Sequence, residues 1–268
     1  MTYKYIVMDM DDTLLTSENK ISEETHAYLL KKQQEGMKII LASGRPTAGM
    51  TKHAESLNLK QNGGYIVSYN GAIITDAATN EVVFKQTIDK ENAHKIIDFC
   101  RENNFFSLTY INDEIVYDST HEYMNIESEL TGLPMVSVSD LKEVITEDVP
   151  KVMGIDYEEN ISKANQSLNG QFNDHISSTT SKPYFLEFMN NEVSKGKSLQ
   201  KLFDKIEADF SEVIAFGDSL NDSDMLEKAA IGVAMGNAND TIKELADVVT
   251  DDHDNNGIVT ALEKLLKS

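Results

Sequence analysis

The sequence predicts a doubly wound α/β fold that is interrupted by an inserted α+β domain. Three observations lead to this prediction. Both ends of the chain alternate short apolar strands with amphipathic helices, the pattern of a parallel sheet that is covered on both faces. The stretch from residue 84 to residue 184 lacks this alternation and contains strands that pair as hairpins. With 268 residues, the chain is long enough for two moderate domains.

Residues 1–83 and 185–268 are predicted to form the α/β core. In the first part, "YKYIVMD", "KIILAS" and "YIVSYNGA" are strands. A helix over "SEETHAYLLKKQQEG" has Ser22 as its N-cap and Gly36 at its end, and a second helix follows Pro46. In the last part, the strands "EVIAFGDS", "IGVAMG" and "DVVT" alternate with the helices "VSKGKSLQKLFDKIE", "NDSDMLEKA", "ANDTIKELA" and "GIVTALEKLLK".

Residues 84–184 are predicted to form the inserted α+β domain. A helix over "KENAHKIIDFCREN" precedes the strands "FFSLTYI" and "EIVYD", which Asn112 and Asp113 join as a hairpin. The strand "KVMGIDY", a helix near "ISKANQSLNGQF" and the strands "HISSTTS" and "YFLEFM" follow. The expected junctions lie near Gln86 and at Lys182-Pro183, because proline cannot donate a hydrogen bond to a strand ladder.

Composition narrows the possible partners and the compartment. The chain has 24 basic and 45 acidic residues, and its net charge is -21. The acidic residues are spread along the whole chain, which argues against a nucleic-acid or anionic-membrane partner. Cys100 is the single cysteine and cannot form an internal disulfide; its place on an apolar helix face indicates core packing. The apolar run before Asp9 is too short for a signal peptide, so a cytoplasmic protein is expected.

Carboxylates follow two of the predicted core strands. Asp9 and Asp11 come after "YIVM", at alternating positions that would place them on one side of a strand, and Asp218 comes after "VIAFG". In open α/β sheets, ligands bind beyond the carboxyl ends of the strands. A divalent cation would offset the repulsion between these carboxylates and takes hard oxygen ligands. A single acidic pair can also form a turn, and Asp218 can cap a helix.

Other polar residues are expected at the same edge of the sheet. Ser43 follows "IILA" and Asn70 follows "YIVSY". Ser43 can instead cap the next helix. Arg45 has two interpretations of equal weight, since it can bind substrate or pair with a nearby acidic residue.

Four motifs, in this order along the chain, resemble those of the haloacid dehalogenase superfamily. They are "DMDDT" (residues 9–13), "LASGR" (41–45), "SKGKSL" (194–199) and "GDSLNDSDML" (217–226). The stretches "SYNGA", "VAMGNA" and "DDHDNNGIVTALEKLL" resemble its Cof-type phosphatase branch. The resemblance spans both ends of the chain and implies a Rossmann-like core with an inserted cap domain that selects the substrate. One position departs from the pattern: Asp12 stands where glycine is common.

The resemblance implies roles for four residues in phosphoryl transfer. Asp9 would be the nucleophile that attacks phosphorus and becomes an aspartyl phosphate. Asp11 would be the general acid and base. Ser43 would bind a phosphoryl oxygen, and Lys195 would neutralise charge on Asp9 and the phosphate. Lys197 competes for this last role, and Lys195 is preferred because it directly precedes Gly196.

The same resemblance implies a magnesium ion and further contacts to the substrate. Mg²⁺ would be held by Asp9, by the backbone carbonyl of Asp11 and by Asp218, with Asp222 as a further ligand or as a support. Substrate binding would involve five residues of these motifs: Ser43, Gly44, Arg45, Lys195 and Asn221. A cation and a lysine next to two anions address the main requirement of phosphoryl transfer, which is charge neutralisation.

Three functions follow from this pattern. The first is a magnesium-dependent phosphatase that acts on small phosphorylated metabolites, with sugar phosphates as one example. The second is a phosphomutase, which would keep the phosphorylated intermediate. The third is a regulatory protein that is phosphorylated on Asp9, although a sensor does not need an acid/base at Asp11. The substrate and the oligomeric state do not follow from the sequence.

Overall fold

The computed structural model describes residues 3–266. Residues 1, 2, 267 and 268, which belong to the predicted core, lie outside the described range. The chain divides into two compact units: Met1–Phe84 with Ser194–Ser268 (the first unit), and Lys85–Val193 (the second unit). In the part that the structure describes, no helix is both long and apolar enough to cross a membrane.

The structure contains fifteen strands and eleven α-helices within the described residues. The strands are β1 (Tyr5–Met8), β2 (Lys38–Ala42), β3 (Tyr65–Ser68), β4 (Ile73–Asp76), β5 (Val82–Lys85), β6 (Phe106–Ile111), β7 (Glu114–Tyr117), β8 (Met135–Ser137), β9 (Val152–Ile155), β10 (Gln171–Asn173), β11 (Ile176–Lys182), β12 (Phe185–Asn190), β13 (Val213–Gly217), β14 (Ile231–Ala234) and β15 (Val248–Val249). The helices are α1 (Glu23–Gln34), α2 (Thr47–Ser56), α3 (Leu59–Asn62), α4 (Lys90–Glu102), α5 (Ile126–Thr131), α6 (Leu141–Val144), α7 (Glu158–Leu168), α8 (Lys195–Ile206), α9 (Ser223–Lys228), α10 (Asp240–Leu245) and α11 (Gly257–Leu265).

The first unit is the doubly wound α/β fold that the sequence predicts. Its sheet has the order β15-β14-β13-β1-β2-β3-β4-β5. Pairing is parallel from β15 to β3 and antiparallel between β3 and β4. Separate apolar clusters cover the two faces, one around Ile6 and Met8 and the other around Val7 and Ala215. Adjacent residues of β1 therefore pack into different clusters, and this explains why the strand is apolar throughout.

Strand order reverses next to β1. From β1, the chain proceeds to β2 and β3 on one side, whereas β13, β14 and β15 extend the sheet on the other side. The crevice between β1 and β13 is the switch point at which such sheets bind ligands. The first unit therefore places the residues that follow β1 and β13 at its expected ligand site.

The second unit is α+β, as predicted, and contains one seven-stranded sheet. The strand order is β10-β11-β12-β9-β6-β7-β8, and all pairs are antiparallel except β7 with β8. Asn112 and Asp113 form the predicted hairpin turn with φ of 51° and 62°, the left-handed values that a two-residue turn requires. Helices α4 and α7 contribute Ile96 and Ile161 to the apolar cluster of this unit. Cys100 is fully buried in that cluster.

The second junction lies later in the chain than the predicted boundary at residues 184 and 185. Strand β12 pairs with β11 and β9, so it belongs to the sheet of the second unit, which ends at Val193. Pro183 lies in the turn of the β11–β12 hairpin and not at a junction. The first junction follows Phe84, one residue from the predicted position. The two ends of the second unit are tied together, because Asn190 Nδ2 donates to the carbonyl of Thr87 at 3.1 Å.

Candidate active site

Asp9 and Asp218 lie next to each other at the switch point of the first unit. Strands β1 and β13 pair directly, and the backbone N–H of Asp9 donates to the carbonyl of Phe216 at 3.0 Å. The pairing extends one residue beyond β1 and positions both carboxylates at the ends of their strands. Asp9 is 6% exposed and Asp218 is 7% exposed.

Three buried carboxylates form a group that suits a metal ion. Asp9, Asp218 and Asp222 each offer one carboxylate oxygen, and these atoms lie within 4.8 Å of one another. Hard oxygen atoms are the ligands that Mg²⁺ and Ca²⁺ prefer. Burial of several carboxylates is unfavourable unless cations accompany them. The donor set and its burial therefore fit a divalent cation.

The electrostatics of this group depend on burial and on close charges. Burial raises the pKa of Asp9 well above its usual range; Lys195 lowers this pKa, and the carboxylates of Asp222 and Asp218 raise it. Burial also raises the pKa of Asp218, while hydrogen bonds from Ser219 and Thr13 lower it. A cation among these groups would favour their charged forms.

Lys195 is the lysine that contacts Asp9. Its fully buried ammonium group donates to Asp9 Oδ1 and, at 2.6 Å, to Asp222 Oδ1. Burial lowers the pKa of Lys195, but attraction to Asp222 and Asp9 outweighs burial, so the net direction is upward and the ammonium form is favoured. Lys197 is exposed and donates through its backbone N–H to Ser194 Oγ at 3.2 Å.

Helix α8 begins at Lys195, and its first turn is held by a residue that the sequence analysis did not assign. Ser194 caps the helix through its side chain. Asp224 accepts a hydrogen bond from the backbone N–H of Gly196 at 3.0 Å and another from the hydroxyl of Ser194. Asp224 lies within the motif "GDSLNDSDML", and its spacing after Asp218 is the only sequence signal for this role.

Asp222 and two hydroxyl groups hold Asp218 in place. Asp222 Oδ2 accepts hydrogen bonds from the backbone N–H groups of Asp218 and Ser219, at 3.0 and 3.1 Å. Because its other oxygen accepts from Lys195, Asp222 has contacts on both oxygens. Thr13 and Ser219 each donate a hydroxyl to one oxygen of Asp218, at 2.7 and 2.6 Å. The sequence analysis missed both hydroxyl groups, although each belongs to a quoted motif.

Asp11 lies outside the buried group. Strand β1 ends at Met8, and the chain forms a tight turn over Met10–Leu14, so the strand alternation that was expected to align Asp11 with Asp9 does not apply. The side chain of Asp11 is 54% exposed and forms two hydrogen bonds with Arg45, from Nε at 2.8 Å and from Nη2 at 2.6 Å. In this structure Arg45 therefore pairs with an acidic residue, Asp11, which is one of its two predicted roles.

Asp12 has a left-handed backbone conformation, with φ of 59° and ψ of 12°. This conformation explains why glycine is common at the position in related motifs, because glycine adopts it at no steric cost. Aspartate is one of the few other residues that visit it readily. The departure from the motif is therefore compatible with the turn.

Ser43 and Asn221 lie in loops that Asn70 connects. Ser43 is buried, its Oγ accepts a hydrogen bond from the backbone N–H of Arg45 at 3.1 Å, and its carbonyl accepts from Asn70 N at 2.9 Å. Asn221 donates to Asn70 Oδ1 at 2.9 Å. A Cβ atom at Gly44 would lie 3.3 Å from the side-chain amide of Asn70. A side chain at residue 44 would therefore require the amide of Asn70 to shift by a few tenths of an ångström.

Comparisons with known proteins agree with this geometry. The sequence profile of the haloacid dehalogenase-like hydrolases matches residues 6–262. A protein of Bacillus subtilis (strain 168) named "Putative phosphatase YxeH" is 31% identical over 269 residues, which cover 98% of each chain. The crystal structure of a haloacid dehalogenase-like hydrolase from Bacteroides thetaiotaomicron is 33% identical, with a TM-score of 0.93 over 98% of this chain and 100% of that chain.

A second similar structure is that of a sugar phosphatase, BT4131, which belongs to subclass IIB of the same superfamily. It is 25% identical, with a TM-score of 0.81 over 98% of each chain. The match to the family profile covers most of the chain, and the motifs meet at the switch point of the sheet. The chain therefore belongs to the haloacid dehalogenase-like hydrolases and is an enzyme of their Cof-type phosphatase branch.

Proposed function

We propose that the protein is a magnesium-dependent phosphatase that hydrolyses small phosphorylated metabolites through an aspartyl phosphate on Asp9. One observation carries this proposal. A buried carboxylate at the switch point contacts a buried lysine and lies within 4.8 Å of two further carboxylates. A nucleophile, a fixed cation and a group suited to a metal thus occupy the expected ligand site.

In the proposed reaction, Asp9 attacks phosphorus, and the bond from phosphorus to the ester oxygen breaks. Asp11 gives its proton to the departing alkoxide. Asp11 then takes a proton from water, which attacks phosphorus and releases inorganic phosphate and free Asp9. Ser43 and Lys195 hold phosphoryl oxygens, and Asn221, Gly44 and Arg45 contribute to substrate binding. Asp11 leaves its pairing with Arg45 to perform these transfers.

The residues that would hold magnesium are Asp9, Asp218 and the backbone carbonyl of Asp11. When bound, the ion neutralises negative charge on the transferred phosphoryl group. We assign Asp222 a supporting role, because it is fully buried and its carboxylate holds Lys195 and two backbone N–H groups of the Asp218 loop, whereas each oxygen of Asp218 accepts one hydroxyl. Lys195 adds a second fixed positive charge.

Sugar phosphates are the substrate class that we favour. The support is the likeness to the sugar phosphatase BT4131, which covers both units. We further propose that the second unit is a cap that selects among phosphate esters. A screen of purified protein with magnesium against a panel of sugar and other phosphate esters, with released phosphate as the readout, would identify the preferred substrate.

Two variants test the mechanism. Asp9→Asn removes the nucleophile, so turnover should vanish and no phosphoenzyme should form. Asp11→Asn keeps the nucleophile but lacks the proton transfer, which typically contributes about 100- to 10,000-fold. An aryl phosphate needs little protonation of its leaving group. With this substrate, Asp11→Asn should form phosphoenzyme faster than it hydrolyses it, and intact-mass measurement should detect one added phosphate.

Phosphate on the Asp9→Asn variant would contradict the nucleophile assignment. Equal turnover of alkyl phosphates by Asp11→Asn and the unchanged enzyme would remove Asp11 from the mechanism. Full activity in the presence of a chelator would contradict the role of magnesium. Transfer of the phosphoryl group to a bound sugar without release of phosphate would indicate a phosphomutase.

A further inference from the structure

The loop that carries Asp11 contacts a segment near the end of the chain. This loop, Met10–Ser17, lies in the first unit, and so do Asn237 and the segment over residues 251–256. Both belong to stretches, "VAMGNA" and "DDHDNNG", that the proposed chemistry does not use. Asn237 and this segment form hydrogen bonds with the loop at two positions, Asp12 and Ser17.

Asn237 connects the Asp12 end of the loop to this segment. Its side-chain Nδ2 donates to the backbone carbonyl of Asp12 at 2.7 Å. Its Oδ1 accepts a hydrogen bond from the backbone N–H of His253 at 3.1 Å. The amide of Asn237 therefore joins two segments that are distant in sequence, as donor to one and as acceptor for the other. On both segments, the group that it contacts belongs to the backbone.

The other end of the loop is held by the next residues of the segment. Asp254 Oδ1 accepts the backbone N–H of Ser17 at 2.8 Å, and its Oδ2 accepts the hydroxyl of Ser17. The imidazole of His253 lies between the two ends: its Nε2 is 3.4 Å from Ser17 Oγ and 3.7 Å from Asp12 Oδ1. The His253 side chain is only 13% exposed, so its position is set by packing.

The contact at Asp12 lies next to the backbone that carries Asp11. Asp12 has the left-handed conformation, which L-residues adopt less readily than glycine does. A hydrogen bond to the carbonyl of Asp12 fixes the plane of the following peptide and thereby favours this conformation. The peptide before it joins Asp12 to Asp11. A change in the conformation of Asp12 would therefore move the carboxyl group of Asp11.

We infer that Asn237, supported by His253 and Asp254, is a positioning residue for the proton transfer by Asp11. The inference rests on the proposed role of Asp11 as general acid and base. Asn237 does not contact substrate in this account and acts only through the backbone at Asp12. Substitution of Asn237 should therefore slow the reaction strongly when the leaving group needs a correctly placed acid, and only slightly when it does not.

Asn237→Asp is the sharpest test. This change keeps the size of the side chain and the acceptor for His253 N–H, but it removes the donor to the carbonyl of Asp12. A misplaced catalytic group can cost about 100-fold. We expect roughly a tenfold loss in the rate of phosphoenzyme formation from an alkyl phosphate and less than about a twofold loss from an aryl phosphate, each measured as single-turnover release of the alcohol. Both should be measured at saturating magnesium, so that a changed affinity for the ion does not contribute.

A matched control is available in the same unit. Asn62 Nδ2 also donates to a backbone carbonyl, that of Asn58, at 3.0 Å, but it lies in α3. Asn62→Asp makes the same chemical change away from the loop and should leave the ratio of the alkyl and aryl rates of phosphoenzyme formation unchanged. Should Asn237→Asp fold poorly by its thermal transition, Asn237→Ser, which removes the bridging amide without adding a charge, is the second variant.

A double variant separates this inference from the proposed function. If Asn237 acts through Asp11, Asn237→Asp should have no further effect on the rate of phosphoenzyme formation from an alkyl phosphate in an Asp11→Asn background. Equal rate losses of Asn237→Asp on both substrates would overturn the positioning role of Asn237. So would a loss in the double variant equal to the sum of the two single losses. Neither result would affect the proposed role of Asp11. If Asp11→Asn does not slow phosphoenzyme formation more from alkyl than from aryl phosphates, the proposed role of Asp11 fails, and the inference fails with it.

Discussion

A lysine whose side chain is fully buried is uncommon, and Lys195 is explained by its partners. It contacts Asp9 and Asp222, and both of these carboxylates are also buried. Removal of one partner of a buried ion pair leaves an uncompensated charge, which is more costly than the loss of an exposed pair. The same three residues therefore link the stability of the first unit to its chemistry.

Lys195→Met should destabilise the protein in the absence of magnesium by about 3–5 kcal/mol, since it leaves two buried carboxylates without their cation. Loss of Lys195 would raise the pKa of Asp9 further. A group with a raised folded-state pKa stabilises below its unfolded pKa and loses this stabilisation as the pH rises. The deficit should therefore be smaller in acid than at neutral pH. Denaturant unfolding at several pH values measures it.

Lys197→Met is the control for this prediction. Lys197 is exposed, and a surface substitution of this kind changes stability by less than about 0.5 kcal/mol. If the carboxylate group holds magnesium as proposed, the ion should also stabilise the unchanged protein in the same assay, because the unfolded chain lacks this group. Equal unfolding midpoints for the Lys195 and Lys197 variants would contradict the role of Lys195 as the buried counter-charge.

Cys100 should behave as an inert core residue. Burial raises the pKa of its thiol to about 12, so almost no reactive thiolate exists near pH 8 in the folded state. A thiol reagent should therefore label the native protein very slowly and should label one thiol per chain once denaturant is added. Rapid labelling of the native protein would contradict the burial of Cys100 in the second unit.

At the scale of elements, the start of α8 is the connection on which the site depends most. The helix begins at Lys195, and Gly196 packs against Asp224 in the first turn of α9. A Cβ atom on Gly196 would lie 2.6 Å from the backbone oxygen of Asp224 and 2.7 Å from its Cγ. Because the closest atom belongs to the backbone, it can move aside only if the chain around Asp224 shifts.

Gly196→Ala should shift the first turn of α8 and displace Lys195. We expect a loss of stability of about 1–3 kcal/mol, as for other overpacked sites, and a clear loss of kcat. Gly132→Ala serves as the comparison. A Cβ atom there would meet nothing within 4 Å, and its φ of 74° adds only local backbone strain. That variant should be less stable than the unchanged protein but should keep its kcat. Unchanged kcat in Gly196→Ala would contradict the tight contact.

At the scale of the whole molecule, the chain contains two units with separate sheets and separate apolar clusters. The first unit contains every residue of the proposed chemistry. The second unit is a continuous segment, Lys85–Val193, whose ends are joined by the hydrogen bond between Asn190 and Thr87. Inserted domains with neighbouring ends can be removed with little effect on their host.

Joining Phe84 to Ser194 through a short flexible linker should give a soluble first unit that still binds magnesium. Calorimetry with magnesium measures the binding, and a panel of phosphate esters measures selectivity, which should fall if the second unit selects the substrate. A deletion at the boundary predicted from sequence would leave β12 in the product without its partners β9 and β11, and that product should aggregate. Unchanged ester preferences in the excised first unit would contradict the cap role.

The sequence by itself determined the fold class and most elements of this protein, because hydrophobic periodicity and turn residues are local signals. Ser22 caps α1 as predicted, and the Asn112-Asp113 turn joins β6 to β7. The short segments β4, β5, β8, β10, α5 and α6 were not predicted, since they have too few residues for a periodic pattern. Motif order also identified the family, and it predicted Asp9, Asp218 and Lys195 for one site before any distance was known.

Only the tertiary structure decided which side chains meet. The donors to Asp218 and the contact between Asp224 and Gly196 depend on side-chain directions that spacing does not specify. The boundary after Val193 depends on the pairing of β12 with β9, a contact between segments about 30 residues apart, which no local pattern near Pro183 reveals. Asp11 pairs with Arg45 instead of aligning with Asp9, because the chain leaves the extended conformation after Met8. Long-range pairing and the conformation of a few turn residues are properties of the folded chain.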